Sequence, residues 1–229
     1  MNLKLLHIFL LSTAGTFLLC TPFINTVELA NGLVTGKMCW FHLAMLFFSV
    51  CVFFVMLTKK GTVIAFTFSD PLVLFFAGGV LITYKWNLNP EPEKLIFAGQ
   101  LVILWFLLRY VLTAYREFKF FFLFVLMFTG LIEAVWGMQQ LHGYSHSNHS
   151  LFRLTGSFFN PGPYSGYIAV ILPVCLWTAL RFQKGMHYFA WICVGAILIV
   201  LPAGMSRSAW IAAVVACGWV YWTERIGWE

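Results

Sequence analysis

Two arginines stand beside segments unlike ordinary connectors. The first is Arg153-Leu-Thr-Gly-Ser-Phe-Phe-Asn160-Pro-Gly-Pro-Tyr164-Ser-Gly-Tyr167, which gathers Gly156, Gly162, Gly166, Pro161 and Pro163 into one short stretch. Glycines permit tight backbone paths, Asn160-Pro161 favours a turn, and Pro163 can open a helix. The expected product is a structured loop. Its N–H groups near a helix start, beside a guanidinium, suit a phosphate or pyrophosphate. An arginine at a helix end is also a common interfacial anchor that snorkels to water, and spacing alone allows both.

The second segment is Gly204-Met-Ser206-Arg207-Ser208. The apolar runs on either side leave almost no loop, so Arg207 falls at the start of a helix that Ser206 can cap. A cation at the positive end of a helix dipole is unfavourable by itself, which makes sense if an anion meets both. An ionisable group near membrane depth is a functional candidate by default. The serine is not in a GxSxG elbow, so a serine hydrolase is excluded.

Three further features bear polar chemistry. In His142-Gly-Tyr-Ser-His146-Ser-Asn-His149 the histidines are spaced four and three apart, as zinc ligands on a helix would be. Gly143, Ser145, Ser147 and Asn148 argue against a helix, and no Cys, Asp or Glu is near to complete the set, so no metal is expected. A polar loop, or one imidazole beside a substrate hydroxyl, are the remaining readings. Asn148-His149-Ser150 matches a glycosylation sequon, a tripeptide that arises often by chance. Glu133 lies well inside an apolar run, where a carboxylate must be protonated, paired or turned to a cavity. It pairs with an arginine, relays protons or serves as a structural partner, and Gln140, seven residues on, shares roughly its helix face.

The elements that position these residues follow from composition. The chain has 229 residues, 61% hydrophobic and 10% charged, with a mean hydropathy of +0.86. Soluble domains are about 45–50% apolar and about 25% charged. The solvent is therefore a bilayer, and no room is left for a sizeable water-soluble domain. A net charge of +6 could suggest nucleic acid, but the basic residues are scattered at the ends of apolar runs, where they set topology. No nucleic-acid partner is expected. The six cysteines lie in or beside apolar runs without CxxC or zinc spacing and read as small hydrophobes.

Apolar runs fall at 5–24, 38–58, 71–86, 95–112, 119–140, 163–181, 187–204 and 208–223. The first is too long for a signal-peptide core and lacks a small-residue cleavage site, so it reads as a span. Asp70-Pro71 reads as an N-cap followed by proline at the first helical position. The expected fold class is an all-α integral membrane protein of about eight transmembrane helices, a single polytopic domain over 1–229. With the N-terminus inside, Lys4, Lys59, Lys60, Arg109, Arg116, Lys119, Arg181, Lys184 and Arg225 fall inside, and Lys37, Lys85, Lys94, Arg153 and Arg207 outside. That excess favours N-in and C-in and puts both arginines of interest on the outer face.

Arg153, the stretch Thr155-Gly-Ser-Phe-Phe-Asn-Pro-Gly-Pro-Tyr-Ser-Gly-Tyr167, Pro173 and then Ser206-Arg207-Ser208, in that order, resemble the O-antigen ligase and O-antigen polymerase superfamily. The opening Asp70-Pro71 and the closing Gly137-Met-Gln-Gln140 fit the same pattern. The resemblance covers nearly the whole chain, with its specificity in 153–167 and 204–209. It implies a glycosyltransferase of the bacterial inner membrane, working on the periplasmic face. Its substrates would be an undecaprenyl pyrophosphate-linked glycan and an acceptor that is lipid A core, a growing polysaccharide or a protein hydroxyl.

By matching position Arg153 and Arg207 would hold the pyrophosphate, and Ser206, Asn160 and Tyr164 of the same motifs are expected to bind it with them. The resemblance implies no metal and no cofactor. The family's base is a histidine in a large periplasmic loop that follows the region matched here, so the chain is expected to be an N-terminal portion of such a domain, or a fragment inactive alone. His149 is a candidate replacement base, although the family motif places none there. The rival reading is a polytopic transporter or a lipid-linked glycan binding module without catalysis, with Glu133 and the outer arginines on a substrate path. Its expected signature, inverted repeats or paired broken helices, is not visible in the sequence.

Overall fold

A computed structural model describes residues 3–26, 32–59, 61, 67, 69–87 and 89–226. Lys60, counted above with the inner basic residues, lies outside them. All regular structure among the described residues is helical, in eight α-helices. These are α1 (Leu3–Leu19), α2 (Gly32–Thr58), α3 (Ser69–Trp86), α4 (Pro92–Ala114), α5 (Arg116–Leu141), α6 (Pro161–Arg181), α7 (Gly185–Val200) and α8 (Arg207–Ile226). In lipid every backbone N–H and C=O must be satisfied within the protein, which a helix achieves within its own segment.

Each apolar run became a helix, but not every helix has the dimensions of a span. Five are long and apolar enough to cross a membrane: α2, α4, α5, α6 and α7 extended to Gly204. The hydrocarbon core asks for about 20 apolar residues. The first run is cut short by Pro22: α1 ends at Leu19 after 17 residues, and a 3-10 turn follows at Thr21–Phe23. Proline lacks the N–H an α-helix needs and clashes with the preceding turn. Pro202 likewise opens a 3-10 turn, Pro202–Gly204, after α7. The α8 helix carries Arg207, Glu224 and Arg225 in its end turns.

Two compact units are present, one of Met1–Leu18 with Cys39–Phe121 and one of Leu19–Met38 with Phe122–Glu229. In the first, polar side chains bridge helices through an apolar surround. Asp70 does not cap α3 from outside, since the helix already includes Ser69. Its carboxylate accepts from the Thr67 N–H at 2.7 Å, from Trp105 Nε1 at 3.1 Å and from the Arg109 guanidinium of α4. A buried carboxylate with a charged partner at hand is used for an interhelical ion pair instead of a cap. His7 is also buried and lies between the Tyr115 hydroxyl and Thr58 Oγ1.

The second unit is organised on α6, which packs against both α7 and α8. Tyr164, Ser165, Ile168, Ala169, Leu172 and Cys175 bury its inner face. Helices in lipid gain little from the hydrophobic effect and associate through close packing and interhelical hydrogen bonds. Gly130 of α5 shows the close packing: a Cβ there would run into Ile171 of α6. Tyr167 adds the polar bond, donating to Thr129 Oγ1 of α5 at 2.7 Å. Outward faces are apolar, with Phe75 83% and Val214 72% exposed, as a lipid-facing surface requires. Among the cysteines Cys51, Cys175 and Cys193 are buried as small hydrophobes, whereas Cys39 is exposed on α2.

Candidate functional site

The polar chemistry of the second unit is concentrated in the loop from α5 to α6. Two side chains of α5 grip that loop at successive residues. Gln140 Oε1 accepts from the N–H groups of Thr155 at 2.9 Å and Gly156 at 2.8 Å, while its Nε2 donates to the carbonyls of Gly156 and His146, both at 3.1 Å. One turn pair deeper, Glu133 Oε2 accepts from the Ser157 N–H at 3.0 Å. Residues seven apart on a helix share a face, so Glu133 and Gln140 line up along one strip and take the loop as a strip would.

Further bonds fix the loop from its own side. Asn148 Nδ2 donates to the carbonyls of Gly156 at 3.1 Å and Phe158 at 3.0 Å. Thr155 Oγ1 accepts from the Asn148 N–H and meets Ser147 Oγ, each at 3.2 Å. Ser157 Oγ donates to the Pro22 carbonyl at 2.6 Å, and Lys37 donates to the Ile24 carbonyl at 2.7 Å with its ammonium over the Phe158 ring. Gly156 has φ +55°, a left-handed conformation that favours glycine, and a Cβ there would meet the Tyr164 ring and Glu133 Oε2. The loop is thus over-determined by hydrogen bonds around one glycine.

Glu133 itself is fully buried. It has not found an arginine: its hydrogen bond goes to the loop backbone, and Lys37 is the cation whose field reaches it. Its second oxygen, Oε1, has no hydrogen-bond partner among the described residues.

The turn before α8 is pinned in the same unit. Ser165 Oγ of α6 donates to the Gly204 carbonyl at 3.0 Å, Trp210 Nε1 donates to the Leu201 carbonyl at 2.9 Å, and Met205 sits at φ +54°. A left-handed non-glycine residue is a strained conformation that its surroundings must hold in place. Ser206 contributes its carbonyl to the Trp210 N–H at 3.1 Å, and its hydroxyl lies 3.3 Å from Ser208 Oγ.

Two cavities open on this arrangement. A polar one of about 560 Å3 is lined by His142, His146, His149, Ser147, Ser150 and Arg153 with neighbouring backbone. A smaller one of about 230 Å3 is lined by Leu141, Phe152, Arg153, Pro161, Ala203 and Met205. Arg153 is exposed and lines both, and the second brings the 151–154 stretch together with the turn before α8. Arg207 is exposed at the first turn of α8, two residues beyond that cavity wall.

The remaining sequence candidates take structural positions. Asn160 is the N-cap of α6, its Oδ1 accepting from the Gly162 N–H at 3.2 Å, and Pro161 rather than Pro163 opens the helix. Tyr164 is fully buried, and its hydroxyl donates to the Glu133 carbonyl at 3.2 Å, so it faces the helix core and neither cavity. His149 accepts the Leu151 N–H on Nδ1 at 3.1 Å, between the rings of Phe152 and Phe159. In the neutral ring Nε2 then carries the hydrogen, which makes the free nitrogen a donor and removes the lone pair a base would use. Among the described residues no three His, Cys, Asp or Glu gather as metal ligands.

Asn148, Ser157, Ser165 and Lys37 carry this scaffold and were not legible as such. Only Asn148 had a signal, its place in a sequon, and that pointed elsewhere: its amide is already spent on two carbonyls. Comparison of the chain with protein-family models, curated proteins and solved structures finds no match.

Proposed function

We propose that this chain is an O-antigen ligase-like glycosyltransferase of the bacterial inner membrane, with eight spans and both termini inside. It binds a glycan linked to undecaprenyl pyrophosphate and hands the glycan to a lipid, polysaccharide or protein hydroxyl on the periplasmic face. The observation that carries this reading is the placement of Arg153. It is exposed on a loop held by Gln140, Glu133 and Asn148, and it lines both the polar cavity and the cavity shared with the turn before Arg207.

In that reading the pyrophosphate is met by two exposed guanidinium groups, one of them, Arg153, carried next to a loop backbone that Gln140 and Glu133 already hold. As the glycosidic C–O bond breaks, the electron pair goes to the pyrophosphate oxygen. Cations beside the leaving oxygen stabilise the negative charge that develops on it. The sugar's anomeric carbon is taken by the acceptor oxygen, whose proton must pass to a base. His149 is not suited to that step because its Nδ1 lone pair is occupied by the Leu151 N–H. The transporter reading is less well supported, because the Glu133 carboxylate is buried and tied to a loop N–H instead of lining a cavity.

The test is transfer from a lipid-pyrophosphate glycan donor by the intact protein, wild type against Arg153→Ala and Arg207→Ala. Loss of a charge-stabilising donor of this kind lowers kcat by about 10^2–10^3-fold. Full activity in both variants would remove the assignment.

A further inference from the structure

A second polar pocket lies in the first unit, where four helices end together. The start of α1, the end of α2, the end of α4 and the start of α5 border an open pocket of about 540 Å3, within the roughly 300–1,000 Å3 of small-molecule sites. Its wall carries Lys4, Lys59 and Arg116 against one carboxylate, Glu117. Lys4 and Glu117 neutralise each other at 2.6 Å on the rim. Lys59 and Arg116 are in no ion pair among the described residues.

The floor beneath them is built. Tyr115 and His7 are both buried, the His7 ring is bonded on one side to the Tyr115 hydroxyl and on the other to Thr58 Oγ1 at 2.8 Å, and the Lys59 ammonium sits 4.1 Å over the Tyr115 ring. Lys59 also donates to the Ala114 carbonyl, which uses one of its three hydrogens and fixes the direction of the rest. Arg116 lies against the Phe120 ring, which leaves the guanidinium N–H edge available for in-plane hydrogen bonds. A stationary ammonium and an arginine fork, unneutralised and at the level where apolar helices end, match an oxyanion with several acceptor oxygens.

We propose that this pocket binds a phosphate group at the ends of α1, α2, α4 and α5, with Lys59 and Arg116 as its ligands and Lys4 at the rim. The phosphate is that of an anionic phospholipid headgroup or a free phosphate. Both present the same oxygens to the same two cations, and juxtamembrane basic clusters favour anionic lipid.

Thermal unfolding of the full chain in detergent tests this with two probes, inorganic phosphate and phosphatidylglycerol, with phosphatidylcholine as the neutral reference. The expected result is a rise in Tm with phosphatidylglycerol beyond that with phosphatidylcholine, at least halved in Arg116→Gln and in Lys4→Gln. Lys119→Gln, the same loss of charge outside the pocket wall, keeps the full shift. Stabilisation by inorganic phosphate as well identifies a free-phosphate site, and stabilisation by the lipid alone identifies a headgroup site. No stabilisation by either probe, or equal loss in Lys119→Gln and Arg116→Gln, overturns the proposal.

Discussion

Gln140 and Gly156 are joined twice, the glutamine Oε1 accepting the glycine N–H at 2.8 Å and the glutamine Nε2 donating to the glycine carbonyl at 3.1 Å. A side-chain amide here pairs with a peptide group as a neighbouring β-strand would. It satisfies a buried backbone that has no strand or helix to pair with, and so permits a loop of irregular path to lie against a membrane helix. Arg153 is placed by that pairing, because the gripped residues begin two positions beyond it.

Truncating Gln140 should therefore release the loop. In Gln140→Ala the Thr155 and Gly156 N–H groups lose their acceptor while buried, at about 1–3 kcal/mol for each unsatisfied group. Hydrogen exchange at 155–157 is expected to accelerate well ahead of exchange in the α6 core. Unchanged protection at those amides would show that the grip is not what orders the loop.

Gly156→Ala should destabilise for two separate reasons. A non-glycine residue in the left-handed region costs about 1–2 kcal/mol. The added methyl also meets the Tyr164 ring and Glu133 Oε2, an overpacking that costs typically about 1–3 kcal/mol. Gly166→Ala, where a Cβ meets nothing within 4 Å and no left-handed φ is required, is the control and should leave Tm nearly unchanged.

In the first unit the Asp70–Arg109 pair joins α3 to α4, with Asp70 buried. Removing one partner of a buried pair leaves the other charge uncompensated, whereas removing both does not. Arg109→Met alone should lower Tm more than Arg109→Met combined with Asp70→Asn. A double-mutant cycle in which the two losses simply add would show that the pair is not coupled.

Arg153 and Arg207 are both exposed, so their replacement by alanine should shift stability by no more than about 0.5 kcal/mol. Membrane insertion and Tm are expected to stay at wild-type values while glycan transfer falls. A matching fall in Tm would assign the arginines to structure.

Some of this architecture was legible in the residues. Apolar runs gave helices where they were expected because in lipid no other open segment can satisfy its own backbone. A proline was expected to open the helix after the loop, and one does, Pro161 in place of Pro163. The seven-residue spacing of Glu133 and Gln140 predicted one shared face, and both grip the same loop. The count of spans was less legible: Pro22 stops α1 early, and α3 and α8, though long enough, are not among the helices apolar enough to cross a membrane.

The direction of loop side chains was not legible. Tyr164 sits in the same glycine- and proline-rich motif as Arg153, yet one is fully buried under Glu133 and the other is exposed at two cavities. The sequence by itself determined the solvent, the helices and the few polar groups that had to be accounted for, since each follows from composition or from a local period. Only the tertiary structure decided which of those groups hold the loop and which face the cavities. A loop has no repeating geometry, and the bonds that orient it, Gln140 to Gly156 and Glu133 to Ser157, join residues brought together only when α5 and α6 pack.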